Sequence, residues 1–316
     1  MAQGDNAIGS IVNGITASIE SNQGESVNHP FSSRPRLLAV LAHPDDESFG
    51  AGGTLARYAW MGAQVDLICA TGGEEGAADA RHLVGYGSLA ERRAAELACA
   101  AQSLGLHQVI LLGYRDSGMA GTPANQHPQA LAAQPLDAVV ERLVVLLRQL
   151  RPHVVLTFDP IGGYRHPDHI AIHEATVAAF YAAGDSSYHT AGLPPWQPQK
   201  LYYQTFPRRL LRIVVRLMPL FGYDPRRFGR NGDVDLTALA AVDFPQHARI
   251  DTLAVAEARL AAGRCHASQG GERVGRGPWG LVARLLGLAR VETFMRAYPP
   301  AAPDLVEHDL LADVVW

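Results

Sequence analysis

Lysine, cysteine and long apolar runs are all scarce in this sequence. Lys200 is the only lysine, and we interpret the preference for arginine as a bias of composition without functional meaning. The three cysteines, Cys69, Cys99 and Cys265, are far apart and odd in number, so we interpret them as reduced thiols and not as a disulfide framework. No uninterrupted apolar run reaches the roughly 18 residues of a membrane-spanning helix, and no basic region followed by an apolar core opens the chain. We therefore expect a soluble, cytoplasmic protein.

An excess of positive charge is also missing. The net charge is -4 and the isoelectric point lies near 6.3, which gives no electrostatic reason to expect a nucleic-acid partner. With 316 residues, 47% of them hydrophobic, the chain can bury a sizeable core. Residues 1–34 are rich in Gly, Asn, Ser and Gln and predict a flexible tail. We expect a single domain over 35–316, with a Rossmann-like core at 35–190 and a C-terminal α/β extension at 191–316.

Short apolar runs alternate with helical patterns in the first half of the chain. Runs of strand length lie at 37–41, 65–70, 109–112 and 154–158. Apolar residues recur at helical spacing over 53–60, 88–104 and 136–150. Strand and helix at this spacing predict right-handed crossovers. The expected fold is therefore α/β, a Rossmann-like doubly wound and mostly parallel sheet with helices on both faces.

Polar, glycine-containing segments follow the four predicted strands at the point where each strand ends. The first strand is followed by AHPDDE at 42–47, and the fourth leads to HPDH at 166–169. The other two strands lead to GGEEG at 72–76 and GYRDSGM at 113–119. Ligands in doubly wound sheets bind beyond the carboxyl ends of the strands. We therefore expect these segments to lie on one rim and to form a site.

Two imidazoles and one carboxylate on this rim have the composition of a catalytic metal site. His43 and Asp46 come from the first segment, and His169 comes from the opposite crossover. Three protein ligands with open positions suit zinc, which we favour, but non-haem iron(II) uses the same ligand types, so their identity alone does not fix the metal. His173, one helical turn after His169, is a possible substitute ligand.

Two other interpretations of the first segment need to be weighed. Its acids can simply cap the helix that follows, where negative charge is favoured. Gly50, Gly52 and Gly53 invite a dinucleotide-binding interpretation, but the G-x-G-x-x-G spacing is missing. The acids would also stand where a pyrophosphate should lie. The cap interpretation stays open, and a dehydrogenase is disfavoured.

The pair of segments AHPDDE and HPDH resembles the LmbE/PIG-L type of metal-dependent N-deacetylases, which remove acetyl groups from N-acetylglucosaminyl compounds. The resemblance runs over about 37–173, with a weaker likeness in CHASQ at 265–269. The stretches RDSGMAGT at 115–122 and GGY at 162–164 resemble in particular the branch that deacetylates the glucosaminyl-inositol precursor of mycothiol. A small N-acetylated amino sugar is therefore the expected substrate.

The resemblance also implies roles for individual residues. Zn2+ would bind His43, Asp46 and His169, with Fe2+ or another divalent metal as the alternative. The resemblance further implies Asp45 as the general base and His166 as an acid or oxyanion partner. Asp168 would orient His166, and Tyr164 would help to hold the tetrahedral intermediate.

Arg93, Asp116 and Met119 match substrate-contacting positions of the family. An ion pair between Arg93 and Glu96 on the helix surface is an equally good interpretation of that arginine. The chain departs from the mycothiol branch at Gly50, where the branch has serine, and at Ala77, where it has a third acid. These departures concern the aglycone and not the chemistry. The alternatives are an amidase of another small amide, such as a thiol S-conjugate, and a non-catalytic sugar-binding module.

The C-terminal third carries no obvious chemistry. A strand is predicted at 201–205 and helices at 250–263 and 279–288. The basic, apolar segment 208–230 can contact a membrane surface or close over a pocket, but we favour an ordinary helix packed on the sheet. The oligomeric state is not visible in the sequence.

Overall fold

The computed structural model describes residues 34–190, 192–206, 208–227, 232, 234–275 and 290–316. The strands are β1 Arg36–Leu41, β2 Gln64–Thr71, β3 Gln108–Tyr114, β4 Val154–Thr157, β5 Lys200–Thr205, β6 Ala248–Asp251 and β7 Val291–Tyr298. The α-helices are α1 Asp46–Phe49, α2 Gly52–Trp60, α3 Leu89–Leu104, α4 Leu136–Leu150, α5 Gly162–Arg165, α6 Pro167–Gly184, α7 Arg208–Leu217, α8 Leu236–Ala241 and α9 Ala256–Cys265. Short 3-10 turns lie at Ala80–Leu83, Pro123–Gln126, Leu131–Ala133, Met218–Phe221, Leu253–Val255, Ala267–Gln269 and Gly271–Arg273.

The strands form one sheet in the order β3-β2-β1-β4-β5-β7-β6. The pairs from β3 to β5 are parallel, and β7 pairs antiparallel with both β5 and β6. The chain moves outward from β1 through β2 to β3 and then returns to the other side of β1 at β4. The ends of β1 and β4 therefore form the switch point at which doubly wound sheets bind ligands. The predicted α/β fold is confirmed.

The core lies on both faces of the parallel strands, which explains why these strands are continuous apolar runs. Leu37, Leu38, Val154 and Val155 are fully buried, and α4 packs against α6 on one face. The α4 residues that face this core recur at helical spacing; they are Val139, Val140, Leu143, Val144 and Leu147. The apolar face predicted for the helix at 136–150 is thus buried, and this burial stabilises the sheet on which the switch point lies.

The C-terminal region differs from the sequence expectations in its strands. The predicted helix at 250–263 is wrong over its first residues, because Ala248–Asp251 pairs with β7 and the α-helix begins only at Ala256. Ile250 is buried while Arg249 is exposed, which is strand alternation and not a helical period. The strand at Val291–Tyr298 was not predicted. The strand at 201–205 is confirmed, and the helix predicted at 279–288 lies outside the described residues.

The cysteine interpretation is wrong for two of the three residues. Cys99 and Cys265 form a disulfide that joins α3 to the end of α9, and only Cys69 is free and buried. The two cysteines are 166 residues apart and meet because α3 and α9 pack against each other. Sequence spacing carries no information about such a helix contact.

The basic, apolar segment near residue 208 forms α7, which packs against α8. Ile213, Val214 and Leu217 on this helix remain exposed. Within the described residues, no helix combines the length and apolar character needed to cross a membrane.

Candidate active site

The first segment leaves β1 in a sharp turn that separates its two aspartates. Asp45 has a φ of 127°, a positive value that residues other than glycine rarely adopt. It precedes the single turn of α1, but its carboxylate makes no hydrogen bond that caps this helix. The Asp45 carboxylate therefore does not cap the helix, although Asp46 and Glu47 lie in its first turn. The turn directs Asp45 and Asp46 to different partners.

His43, Asp46 and His169 converge as the metal hypothesis requires. His43 Nδ1 and His169 Nε2 are 3.2 Å apart. The Asp46 carboxylate places one oxygen 3.5 Å from His43 Nδ1 and the other 3.3 Å from His169 Nε2. Ligand atoms around a tetrahedral ion with bonds of about 2.0–2.1 Å are about 3.4 Å apart. The two imidazole nitrogens thus have the spacing of ligands to one small cation, and the Asp46 carboxylate offers a different oxygen to each of them.

The charges around this cluster also suit a cation. Burial works against a charged His43, but the surrounding Asp116, Asp168 and Asp46 raise its pKa well above the ordinary value. Burial lowers the pKa of His169 to about 4, so that imidazole is neutral at pH 7 with a lone pair to offer. Three buried or half-buried carboxylates beside one imidazole leave an excess of negative charge that a divalent cation can compensate.

Asp168 contacts a different histidine from the one expected. Its Oδ2 lies 3.1 Å from His43 Nε2 and accepts the Ser117 N–H at 2.8 Å, while Oδ1 accepts the Ser117 hydroxyl. We expected Asp168 to orient His166, but its side chain orients His43, because the first turn of α6 directs this carboxylate toward the end of β1. A carboxylate behind a metal-binding histidine is a common supporting contact. Ser117, which sequence reasoning missed, holds the Asp168 carboxylate in this position through its N–H and its hydroxyl.

His166 faces the cavity with a defined tautomer. Its Nδ1 accepts the backbone N–H of Asp168 at 3.2 Å as the N-cap of α6. Burial and the nearby His43 and His169 lower the pKa of His166 to about 2, so the ring is neutral at pH 7. Since Nδ1 is an acceptor, the ring proton resides on Nε2. His166 can therefore donate a hydrogen bond from Nε2 to a ligand in the cavity.

Arg93 holds Asp45 instead of lying on the helix surface. Its Nη2 is 3.1 Å from Asp45 Oδ2 and donates to the Pro44 carbonyl at 2.6 Å, and Nη1 donates to the Gly73 carbonyl at 2.8 Å. The predicted alternative pair of Arg93 with Glu96 is wrong, because Glu96 pairs with Arg92 at 2.9 Å. Burial raises the pKa of Asp45 to about 6, although the charge of Arg93 opposes this shift.

A cavity of about 1080 Å3 opens beside the cluster. Its wall includes most of the residues singled out in the sequence, namely His43, Asp45, Arg93, Asp116, Met119, Tyr164 and His166. Burial raises the pKa of Tyr164, which keeps its hydroxyl protonated as a donor. Asp116 is 3.5 Å from His43 Nε2 and accepts the Gly118 N–H at 2.8 Å. The cavity is large enough for a sugar conjugate.

Two remaining histidines have other places. His173, the possible substitute ligand, contacts the Phe158 carbonyl through Nδ1 at 2.8 Å and packs against Tyr203. It therefore lies outside the ligand triangle. His266, which sequence reasoning missed as a site residue, lies fully buried behind Asp45 and contacts Glu47. Its only signal in the sequence is the CHASQ stretch.

The fold and the site together define a class: an α/β protein with a buried two-histidine, one-carboxylate cluster at the switch point and a second acid beside it, as hydrolytic chemistry requires. The family described as PIG-L, GlcNAc-PI de-N-acetylase, matches residues 38–180. A protein of Thermobifida fusca (strain YX), named 1D-myo-inositol 2-acetamido-2-deoxy-alpha-D-glucopyranoside deacetylase, is 41% identical over 245 residues, which are 74% of this chain and 83% of the relative. The chain belongs to the PIG-L family, and it is a hydrolytic N-deacetylase.

Solved structures agree on the fold. N,N'-diacetylchitobiose deacetylase from Pyrococcus horikoshii superimposes with a TM-score of 0.57 at 19% identity and covers 94% of each chain. The conserved protein TT1542 from Thermus thermophilus superimposes with a TM-score of 0.51 at 25% identity, covering 84% of this chain and 96% of that one. The sheet and its crossovers are thus shared with these proteins.

Proposed function

We propose that this protein removes the acetyl group from an N-acetylglucosaminyl conjugate with inositol as the aglycone, and releases acetate and a free amine. The observation that carries the proposal is the convergence of His43, Asp46 and His169, whose side chains contact one another at 3.2–3.5 Å, with Asp45 beside them. The relative that is 41% identical over 245 residues is named for this reaction on such a conjugate. A cytoplasmic location and the lack of a nucleic-acid partner, favoured by composition, are parts of the same proposal.

His43, Asp46 and His169 would hold the cation, which we take to be Zn2+ with Fe2+ as the alternative. When bound, the cation supplies Lewis acidity that makes water a better nucleophile and the acetyl carbonyl a better electrophile. Asp168 fixes the ring of His43, since its carboxylate is 3.1 Å from His43 Nε2. These residues set the ligand geometry before substrate binds.

Asp45 acts as the general base. Its carboxylate is held by Arg93 at 3.1 Å and lines the cavity, so it is free to take a proton from the attacking water. A carboxyl group with a pKa of about 6 is mostly ionised at neutral pH. Because this pKa lies close to neutral pH, the group can both accept and return a proton efficiently. The proton that Asp45 receives then passes to the leaving nitrogen, which balances the reaction.

His166 and Tyr164 stabilise the oxyanion. His166 donates from Nε2, and Tyr164 donates its hydroxyl proton, because both groups are neutral and line the cavity. Donors placed before the reaction are each worth on the order of 3 kcal/mol of barrier in such sites. This assigns His166 the role of oxyanion partner and not that of an acid.

Asp116 and Met119 would contact the sugar from the cavity wall, with Arg93 beside them. The departure at Gly50 has a structural reason, since a Cβ there would lie 2.4 Å from Gln204 Nε2. Ala77, the other departure, also lines the cavity. Of the two departures, Ala77 is therefore the one that stands where it can contact the aglycone.

A substrate panel tests the proposal. Metal-loaded protein is assayed for free-amine release from the inositol conjugate of N-acetylglucosamine, from its methyl glycoside and from an N-acetylcysteine S-conjugate. We expect kcat/KM to be at least about tenfold higher for the inositol conjugate than for the methyl glycoside. Hydrolysis of the S-conjugate alone would make the protein an amidase, and sugar binding without amine release would make it a binding module.

A further inference from the structure

The backbone of Asp45 is held in an unfavourable conformation at the point where the proposed base leaves β1. Its φ of 127° and ψ of -24° lie outside the regions that aspartate ordinarily occupies. A conformation of this kind persists only when neighbouring groups fix it. Two carbonyl contacts help, since Ser48 and Phe49 donate their N–H groups to the Asp45 carbonyl at 3.0 and 2.9 Å.

Glu47 fixes the other side of the same residue. Its Oε2 accepts the backbone N–H of Asp45 at 3.0 Å, and its Oε1 accepts the Ser48 hydroxyl at 2.6 Å. Glu47 is fully buried, and a buried carboxylate is costly unless its lone pairs are satisfied. A further donor beside Oε1 therefore lowers the cost of burying this carboxylate.

His266 is that donor. Its Nε2 lies 2.6 Å from Glu47 Oε1, although the two residues are 219 positions apart in sequence. The imidazole is fully buried, and among the described residues its Nδ1 has no hydrogen-bond partner. The side chain of His266 is thus placed for its contact with Glu47.

The segment that carries His266 is tied to the helix that carries Arg93. Cys265 is joined to Cys99 on α3, and Ser268 donates its N–H and its hydroxyl to the Glu96 carboxylate at 2.8 and 2.7 Å. Arg93, Glu96 and Cys99 lie three residues apart on α3 and so share one face of it. The same helix contact therefore brings Arg93 to the Asp45 carboxylate and His266 toward the Asp45 backbone.

We propose that Glu47 and His266 are positioning residues that hold the backbone of Asp45 so that its carboxylate faces the cavity. This inference rests on the proposed role of Asp45 as the general base. Neither residue lines the cavity. His266 contacts Glu47, and Glu47 contacts the Asp45 N–H. Removing either contact should therefore lower turnover without a loss of bound metal or of substrate affinity.

Variants matched in size separate positioning from a structural role. Glu47→Met and His266→Met keep the volume and remove the polar contact, whereas Glu47→Gln keeps an oxygen acceptor and His266→Gln keeps an N–H donor. Removing one partner of a buried ion pair is destabilising, so the folding of each variant is measured beside its kinetics. His153→Met is the control, since His153 is another buried histidine and precedes β4, at the opposite end of the strand from the site, where it accepts the Arg36 N–H.

We expect Glu47→Met and His266→Met to lower kcat by about tenfold or more, with KM within about twofold and bound metal unchanged. Glu47→Gln and His266→Gln should retain most of the turnover, and His153→Met should retain all of it. In crystals of metal-free His266→Met, the φ of Asp45 should leave the positive region. Wild-type kcat in the folded Met variants, or equal losses in the Met and Gln variants, would overturn the proposal.

A failure of the variants to fold and a lack of activity in the wild-type protein have different consequences. Should the Met variants not fold, His266→Asn, whose amide is too short to reach Glu47, takes their place in the comparison with His266→Gln. Should the wild-type protein release no amine from any acetamido sugar, the proposed function fails. The φ of Asp45 in the variant crystals then still decides whether Glu47 and His266 position it.

Discussion

Arg93 Nη2 contacts the Asp45 carboxylate at 3.1 Å while it also donates to the Pro44 carbonyl at 2.6 Å. The guanidinium thus fixes both the side chain of Asp45 and the residue before it. A planar group with several donors can hold two acceptors at once, which a lysine cannot do with the same geometry. The orientation of the proposed base therefore depends on a helix far from it in sequence.

Replacing Arg93 tests this dependence. We expect Arg93→Met to lower kcat by about tenfold or more, because Asp45 loses the group that orients its carboxylate. Arg92→Met is the matched control, since Arg92 pairs with Glu96 on the neighbouring position of α3. Steady-state kinetics on the acetamido-sugar conjugate would refute the assignment if the two variants behaved alike.

The metal site and the base respond differently to substitution. We expect His43→Ala and His169→Ala to lose bound metal, because each removes one of the three donor atoms. Asp45→Ala should keep its metal and lose about a hundredfold or more of its turnover, as expected when a general base is removed. Elemental analysis beside kinetics measures both, and full activity in Asp45→Ala would rule out its role.

Asp168→Asn should weaken metal binding as well as turnover. The carboxylate supports His43 at 3.1 Å, so the amide would leave that imidazole less basic and less well oriented. We expect metal affinity to fall by about 10- to 100-fold, measured by competition with a chelator. Ser117→Ala, which removes one donor to Asp168, should show a smaller effect in the same direction. Unchanged affinity in both variants would contradict this role.

The disulfide makes a prediction about the thiols of the protein. In denatured, unreduced protein a thiol reagent should detect one group, Cys69, and after reduction three. Cys99→Ser should lower the free energy of unfolding by about 2–5 kcal/mol, because the bridge closes a long loop in the unfolded chain. Disulfides are rare in reducing compartments, so a Cys99–Cys265 bridge that persists in protein alkylated inside cells would contradict the cytoplasmic proposal.

His153 should make stability depend on pH. Burial, with a smaller effect of Arg36, lowers its pKa to about 4 in the folded protein. Below its usual pKa of about 6.5 the unfolded chain binds a proton that the folded protein does not, so folding weakens as pH falls from about 6.5 to 4. Denaturation at both ends of this range should show a smaller pH effect in His153→Gln. An identical pH effect would refute the assignment.

The sequence by itself determined the parallel sheet and the position of the site on it. Apolar runs of strand length and helical spacing are local properties, and the rule that ligands bind beyond strand ends placed His43, Asp46 and His169 on one rim. The alternation at 248–251 was too short to distinguish a strand from a helix. Pairing with β7 decided it, because a strand at the edge of a sheet is stabilised by its neighbour more than by its own residues.

Only the tertiary structure decided which side chains support the site. Asp168 orients His43 and not His166, Arg93 holds Asp45 and not Glu96, and Cys99 reaches Cys265. Each of these partners lies on a different element of the fold from the residue it contacts. Local sequence fixes the direction of a helix or strand, but the packing of one element on another fixes which atoms come within hydrogen-bonding distance.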